Sequence, residues 1–221
     1  VVRFYTADPA ACRREAALAG LVRGRVPMAA VLHLDADADP PIAVVEWVEG
    51  VRFDDLVRAG DPRAIESAAR SAGRALARLH AVTFSSAGFI GPDLEIAVPL
   101  NLGADWTQHV EHFLHGQAGA CLGDELARRV ERLASEAGPR LEAVRNDRSL
   151  VHADYKPWNL LLRRAERTSG GWEVAAILDW EFAFSGPPLV DVAIFLRHAG
   201  VLPPAFERGF ISGYASGGGA L

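Results

Sequence analysis

The sequence is that of an α+β protein in two unequal parts, a short strand-rich segment followed by a larger, mainly helical remainder. Three features of the 221 residues predict it. Apolar, β-rich runs occupy the chain up to Gly50. Beyond Asp61-Pro62 the apolar residues recur with helical spacing. Between them in character lies the stretch Leu150 to Leu162, where two apolar runs enclose a loop of His, Asp, Lys and Asn.

Val1 to Tyr5 reads as a strand. Asp8-Pro9 opens a helix, with Asp as cap and Pro in the first turn, that runs to about Val22. Met28 to Leu34 and Ile42 to Val48 read as two further strands. Asp35-Ala36-Asp37-Ala38-Asp39-Pro40 between them is a turn-rich connection; its alternating acids lack the Gly and distal Glu of a calcium loop. Phe53 to Ala59 is a short helix. A long helix follows to about Val82, with Ile65, Ala68, Ala69, Ala72, Leu76 and Leu79 on one face. Its small residues permit close packing, so it is the expected scaffold of the larger part, and His80 at its end reads as structural. Residues 83–100, with two glycines and two prolines, read mainly as loop. Trp106 to Gln117 is helical and carries His109, His112 and His115; a zinc site there lacks a fourth ligand. Gly123 to Val144 reads as an amphipathic helix with Leu126, Val130, Leu133 and Leu141 inward. Arg163 to Gly171 reads as a polar connection between two strands. Leu189 to Ala199 and Pro204 to Ala215 read as closing helices, and Gly217-Gly218-Gly219 as a flexible tail.

Composition narrows the function classes. Half the residues are hydrophobic and 23% charged, as in ordinary globular proteins. A net charge of −5 argues against a general nucleic-acid binder. No apolar run approaches the ~20 residues that span a bilayer, and no signal peptide is visible at Val1-Val2-Arg3. Cys12 and Cys121 read as reduced thiols, so a cytoplasmic setting is expected, with neither membrane nor nucleic acid as partner.

The loop at 152–159 carries chemistry. Asp154 is placed to take a proton from a substrate hydroxyl. Asn159, five residues on, offers an amide oxygen to a metal, and Lys156 offers charge to a transferring phosphate. Pro157 stiffens the turn. His152-x-Asp154-x-x-x-x-Asn159 has the spacing of the kinase catalytic loop. Ile177-Leu178-Asp179-Trp180-Glu181 puts an acid at the end of an apolar strand, and Gly186-Pro187-Pro188-x-x-Asp191-x-Ala193 follows.

Together these three motifs resemble the aminoglycoside phosphotransferase and choline kinase-like family, small-molecule kinases with the protein-kinase fold. Asp179-Trp180-Glu181 favours that branch over protein kinases, which have Asp-Phe-Gly there. The resemblance implies a bilobal fold: a small antiparallel-sheet N-lobe and hinge over residues 1–50, incomplete at its start because no glycine-rich phosphate loop precedes Val1, and a helical catalytic and substrate lobe over 51–221. It implies magnesium on Asn159 and Asp179, Asp154 as base, and Lys156 beside the phosphate. Arg3 stands where the family has a phosphate-holding Lys, Glu15 where an acid pairs with it, and Glu46 and Val48 where hinge main-chain groups hold adenine. His152 and Asp191 are expected to brace the loops, and Glu181 to lie near the metal or substrate. The implied reaction is phosphoryl transfer from ATP or GTP to the hydroxyl of a small polar acceptor, cationic ones such as an aminoglycoside antibiotic or choline among them, with which the net charge of −5 is compatible. A nucleotide-binding module without catalysis is the alternative, because Arg is not equivalent to Lys at the phosphates.

Overall fold

A computed structural model of the chain describes residues 1–100, 106–144, 146–166 and 171–221, with backbone alone at 106–109. The chain begins with β1 (Val2–Phe4), α1 (Pro9–Val22), β2 (Val31–Asp35) and β3 (Ile42–Val45). Then come β4 (Val51–Arg52), α2 (Phe53–Ala59), α3 (Pro62–His80), β5 (Gly88–Ile90) and β6 (Ile96–Pro99). Next are α4 (Trp106–Leu114), α5 (Gln117–Leu122), α6 (Asp124–Glu142), β7 (Ser149–Val151), β8 (Leu160–Arg164), β9 (Trp172–Ile177) and β10 (Phe184–Gly186). The helices α7 (Leu189–Leu196) and α8 (Pro204–Ser216) close the described chain.

The caps are those expected. Asp8 accepts from the Ala10 N–H and Asp61 from the Arg63 N–H, each followed by Pro in the first turn. The strands form antiparallel sheets ordered β1-β3-β2, β6-β5-β10-β7 and β4-β8-β9. The first sheet and α1 make the small lobe. The other two flank the loop at residues 152–159 inside the larger lobe. No helix among the described residues is long and apolar enough to cross a membrane.

The core of the large lobe is the crossing of α3 and α8. α3 presents Ala69, Gly73 and Ala77, and α8 presents Gly209, Gly213 and the capping Gly217. A Cβ at Gly73 would lie 2.2 Å from the Phe210 carbonyl, and one at Gly213 2.0 Å from that of Arg70. The helices touch backbone to backbone. Phe195 of α7 stacks on Phe206 and Phe210 at 4.8 and 4.3 Å between ring centres, which ties the closing helices to the same core. Gly73→Ala is therefore expected to destabilise by about 1–3 kcal/mol, because overpacking against rigid backbone exceeds the ~1 kcal/mol of added helix propensity. Gly20→Ala, with nothing within 4 Å of its Cβ, serves as the control and is expected to stabilise by about 0.5–1 kcal/mol. Urea unfolding of both variants checks the pair.

Several sequence expectations are corrected. β2 starts at Val31 rather than Met28, and β3 stops at Val45, since Glu46 to Gly50 leave the sheet. Residues 83–100 contain the β5–β6 hairpin. Its exposed positions Phe89 and Val98 are themselves apolar, so no apolar–polar alternation marks it in the sequence. The Trp106–Gln117 helix is divided by Gly116 into α4 and α5. On α6, Leu126, Leu133 and Leu141 are exposed and Val130 half-buried; Ala134 is the residue it buries. Gly217 and Gly219 are not a free tail. Their N–H groups bond Gly213 and Tyr214 carbonyls, and Gly219 lies against the Tyr214 ring. The centre of the Arg163–Gly171 connection lies outside the described residues, although its ends pair as expected. So does the His109 side chain; His112 and His115 are exposed. Among the described residues no group of His, Cys, Asp or Glu gathers as a three-ligand metal site.

Candidate active site

The loop at residues 152–159 is held by one buried carboxylate. Asp191, at the start of α7 and fully buried, accepts from the His152 N–H at 2.7 Å and the Ala153 N–H at 2.8 Å. His80 reaches it through Nε2 at 3.1 Å, while its Nδ1 meets the Tyr214 hydroxyl at 2.9 Å. Burial and the Asp191 charge push the Tyr214 phenol up to about 12, so it remains a neutral partner. These bonds hold Ala153 at φ 65, a left-handed conformation that costs a non-Gly residue of the order of 1 kcal/mol. The bend turns Asp154 back toward the loop.

His152 joins this loop to the one after β9. Burial pushes its imidazole below the ordinary His range against the pull of Asp191, so the ring is neutral. Nε2 donates to the Leu178 carbonyl at 3.0 Å, and Nδ1 accepts the Asp154 N–H at 3.2 Å. The Leu178 N–H in turn donates to the Asn159 carbonyl at 2.8 Å. His152 and Asp191 thus brace the loops, as the sequence led one to expect.

Asp154 is gripped on both oxygens. Asn159 Nδ2 donates to Oδ2 at 2.7 Å and to the Asp154 carbonyl at 3.0 Å. Lys156 Nζ lies 2.6 Å from Oδ1 and 5.0 Å from the centre of the Trp158 ring. Both amide hydrogens of Asn159 are therefore spent on Asp154. Among the described residues, neither Asn159 Oδ1 nor the Asp179 carboxylate accepts a hydrogen bond.

Asn159 and Asp179 line one cleft of about 520 Å³ with Arg3, Glu15, Glu46 and Val48. Its walls are apolar, including Val31, Val45, Leu161 and Ile177. At the hinge the Glu46 N–H is committed to the Ala30 carbonyl and its carboxylate to the Ala30 N–H. The Glu46 carbonyl and the Val48 N–H have no such partner among the described residues, which leaves one acceptor and one donor uncommitted on residues that line the cleft. Asp179 also sits in the left-handed region, at φ 67. Two hard oxygen donors at one cleft suit magnesium, which takes one or two protein ligands and fills its shell with phosphate oxygens and water. Of the sequence-predicted residues, Arg3, Glu15, Glu46, Val48, Asn159 and Asp179 thus share the cleft, and Asp154 meets it through its bond to Asn159. Lys156 lines a separate hollow beyond the loop, and Glu181 lines another, beside Arg14.

At the cleft's inner wall Arg3 Nη1 lies 2.6 Å from Glu15 Oε2, which also accepts the Tyr5 hydroxyl at 3.1 Å. Tyr5 was missed in the sequence, though Arg3 and Tyr5 share a strand face at the two-residue period. Burial pushes the Glu15 carboxyl up, against the lowering effects of Arg3 and Tyr5, and Glu15 Oε1 is buried without a partner. A carboxyl raised on folding binds more protons in the native state, so ionising it opposes folding. The stability of Glu15→Gln relative to wild type should therefore rise as pH increases from about 4.5 through the folded value, then stay level. Melting temperatures of the two proteins across that range check the sign.

A model of the APH phosphotransferase enzyme family matches residues 1–221. The chain belongs to that family. As an APH-family protein it is a phosphotransferase of the small-molecule kinase class. A search of curated proteins gives no match. Among solved structures it is similar to aminoglycoside phosphotransferase APH(4)-Ia, with TM-score 0.67 and 19% identity over 95% of this chain and 68% of that one. It is also similar to APH(2")-IIa in complex with gentamicin, with TM-score 0.59 and 16% identity over 97% of this chain and 69% of that one. A third likeness is to ADP-bound APH(2'')-Ib, with TM-score 0.58 and 15% identity over 94% and 67%. At these identities the likeness establishes the kinase-like fold shared by the APH family. The chain spans about two thirds of the length of these structures.

Proposed function

We propose that the chain transfers the terminal phosphoryl group of ATP or GTP to the hydroxyl of a small acceptor. In this reading residues 1–50 hold the nucleotide and 51–221 carry the catalytic and acceptor site. The observation that carries it is the orientation of Asn159. Its amide nitrogen is spent on Asp154, which leaves its oxygen uncommitted at the cleft that Asp179 also lines, so one side chain joins the proton acceptor to the cleft of the ion-holding pair.

Asp154 orients the acceptor hydroxyl and takes its proton as the oxygen attacks. Lys156 fixes the Asp154 carboxylate from the side opposite Asn159. Glu15 aims Arg3 at the phosphates, and the Glu46 carbonyl and Val48 N–H read the base. Magnesium on Asn159 and Asp179 would supply neutralisation of phosphate charge. Similar structures hold ADP with hygromycin B, or ATP with streptomycin, which makes aminoglycosides one class to screen.

The experiment is release of ADP from ATP, or of GDP from GTP, by the full-length protein with magnesium and an acceptor panel of aminoglycosides, macrolides, choline and homoserine. The reading predicts acceptor-dependent release that requires magnesium and disappears in Asp179→Ala. Nucleotide binding without turnover on any acceptor would make the chain a binding module instead.

A further inference from the structure

A second pocket of about 330 Å³ lies across the catalytic loop from the cleft, between α2, the loop and α7. Lys156 lines it, and Lys156 Nζ is 2.6 Å from Asp154 Oδ1, so one lining side chain of the pocket touches the proposed base. Its apolar lining is the buried Phe195, the half-buried Ile194 and Leu202, and the more exposed Trp158 and Val201. Its rim is cationic: Lys156, Arg58 and Arg197.

The charges on that rim are not equally free. Lys156 is paired with Asp154. Arg58 is held by Asp54 and Asp55, which Arg52 also approaches. Among the described residues Asp54 is the one acid lining the pocket, and its second oxygen is buried, so it offers a ligand cation little. Arg197 differs. Its Nε contacts His198 Nε2 at 3.1 Å, its guanidinium lies 5.8 Å from the Trp158 ring centre, and it has no acidic partner among the described residues. An unpaired guanidinium over an indole, beside an apolar lining, matches an anionic group on an apolar body.

We infer that this pocket takes the acceptor, and that the acceptor is an amphipathic hydroxy-anion rather than a polycation. The inference rests on the kinase reading above. The apolar body lies on Trp158 and Ile194, a carboxylate or phosphate meets Arg197, and the hydroxyl faces Asp154. In the transfer, the hydroxyl oxygen bonds to the γ-phosphorus as the bond to the bridging oxygen breaks. ADP leaves, and the hydroxyl proton passes to Asp154 and then to solvent. A polycationic acceptor would instead meet three basic side chains and one acid already shared by two arginines.

The test uses the full-length protein, with hydroxyoctanoate, its neutral methyl ester and hygromycin B as probes. Binding is read by calorimetry and transfer by ADP release. Hydroxyoctanoate should bind at least about tenfold more tightly than the ester, the discrimination expected of a charge-assisted hydrogen bond. Arg197→Glu should remove that preference and Arg197→Lys should keep part of it. Equal binding of acid and ester, no binding of hydroxyoctanoate, or an unchanged affinity in Arg197→Glu overturns the assignment. The two readings fail separately. Arg197-dependent binding without ADP release leaves the pocket and removes the catalysis. Asp154-dependent ADP release with hygromycin B, exceeding that with hydroxyoctanoate, leaves the catalysis and removes the assigned acceptor.

Discussion

Replacing Asp154 with alanine is expected to lower kcat about a thousandfold, within the range contributed by a positioned general base. The carboxylate is fixed by Asn159 at 2.7 Å and Lys156 at 2.6 Å, so it is aimed before any acceptor arrives. Removing it takes away the proton acceptor and leaves Lys156 as an unpaired cation in its place. The KM for nucleotide should change little, because Asp154 does not line the cleft. Stability should also change little, because His152 and Asp191 hold the loop through its backbone. Asp154→Asn separates the two contributions, since it keeps the shape and loses the basicity. Steady-state kinetics with an acceptor found by the screen, together with a melting curve, check this. Turnover within tenfold of wild type would remove Asp154 from the chemistry.

Asp191→Ala should cost about 3–5 kcal/mol of stability, the range for removing one partner from a buried charged network. Two backbone N–H groups and the His80 ring would lose their acceptor at a site with no exposure. Activity should fall as well, because the Ala153 N–H bond maintains the left-handed turn that presents Asp154. Asp191→Asn should do less damage to folding, since an amide oxygen still accepts, but its NH2 would face donors. Urea unfolding with matched kinetics measures both. A loss under about 1 kcal/mol would mean that water or rearrangement replaces the carboxylate.

Much of the site could be read along the chain because its parts are local. Asp154, Lys156 and Asn159 lie within six residues, and the strands on either side fix their mutual geometry. Arg3 and Glu15 were paired through the family resemblance, and the 2.6 Å contact bears that out. The parts that escaped reading depend on distant partners. The apolar face of α6 is patterned like a core helix, yet most of it is exposed, because periodicity describes a face and not what covers it. The β5–β6 hairpin was hidden by short, half-exposed strands whose partner β10 is about ninety residues away. Arg197 drew no notice as one charge on a helix end, until folding set it over Trp158.

Local rules of capping, period and motif spacing sufficed for the class of fold, the bounds of most helices and the strand–loop–strand around residues 152–159. These depend on residues a few positions apart, whose geometry the backbone imposes. The α3–α8 contact, the double duty of Asp191 and the sign of charge left free in the second pocket required the folded chain. Each sums interactions between segments far apart in sequence, and which donors, acceptors and cations remain unpaired follows from that sum rather than from any one stretch.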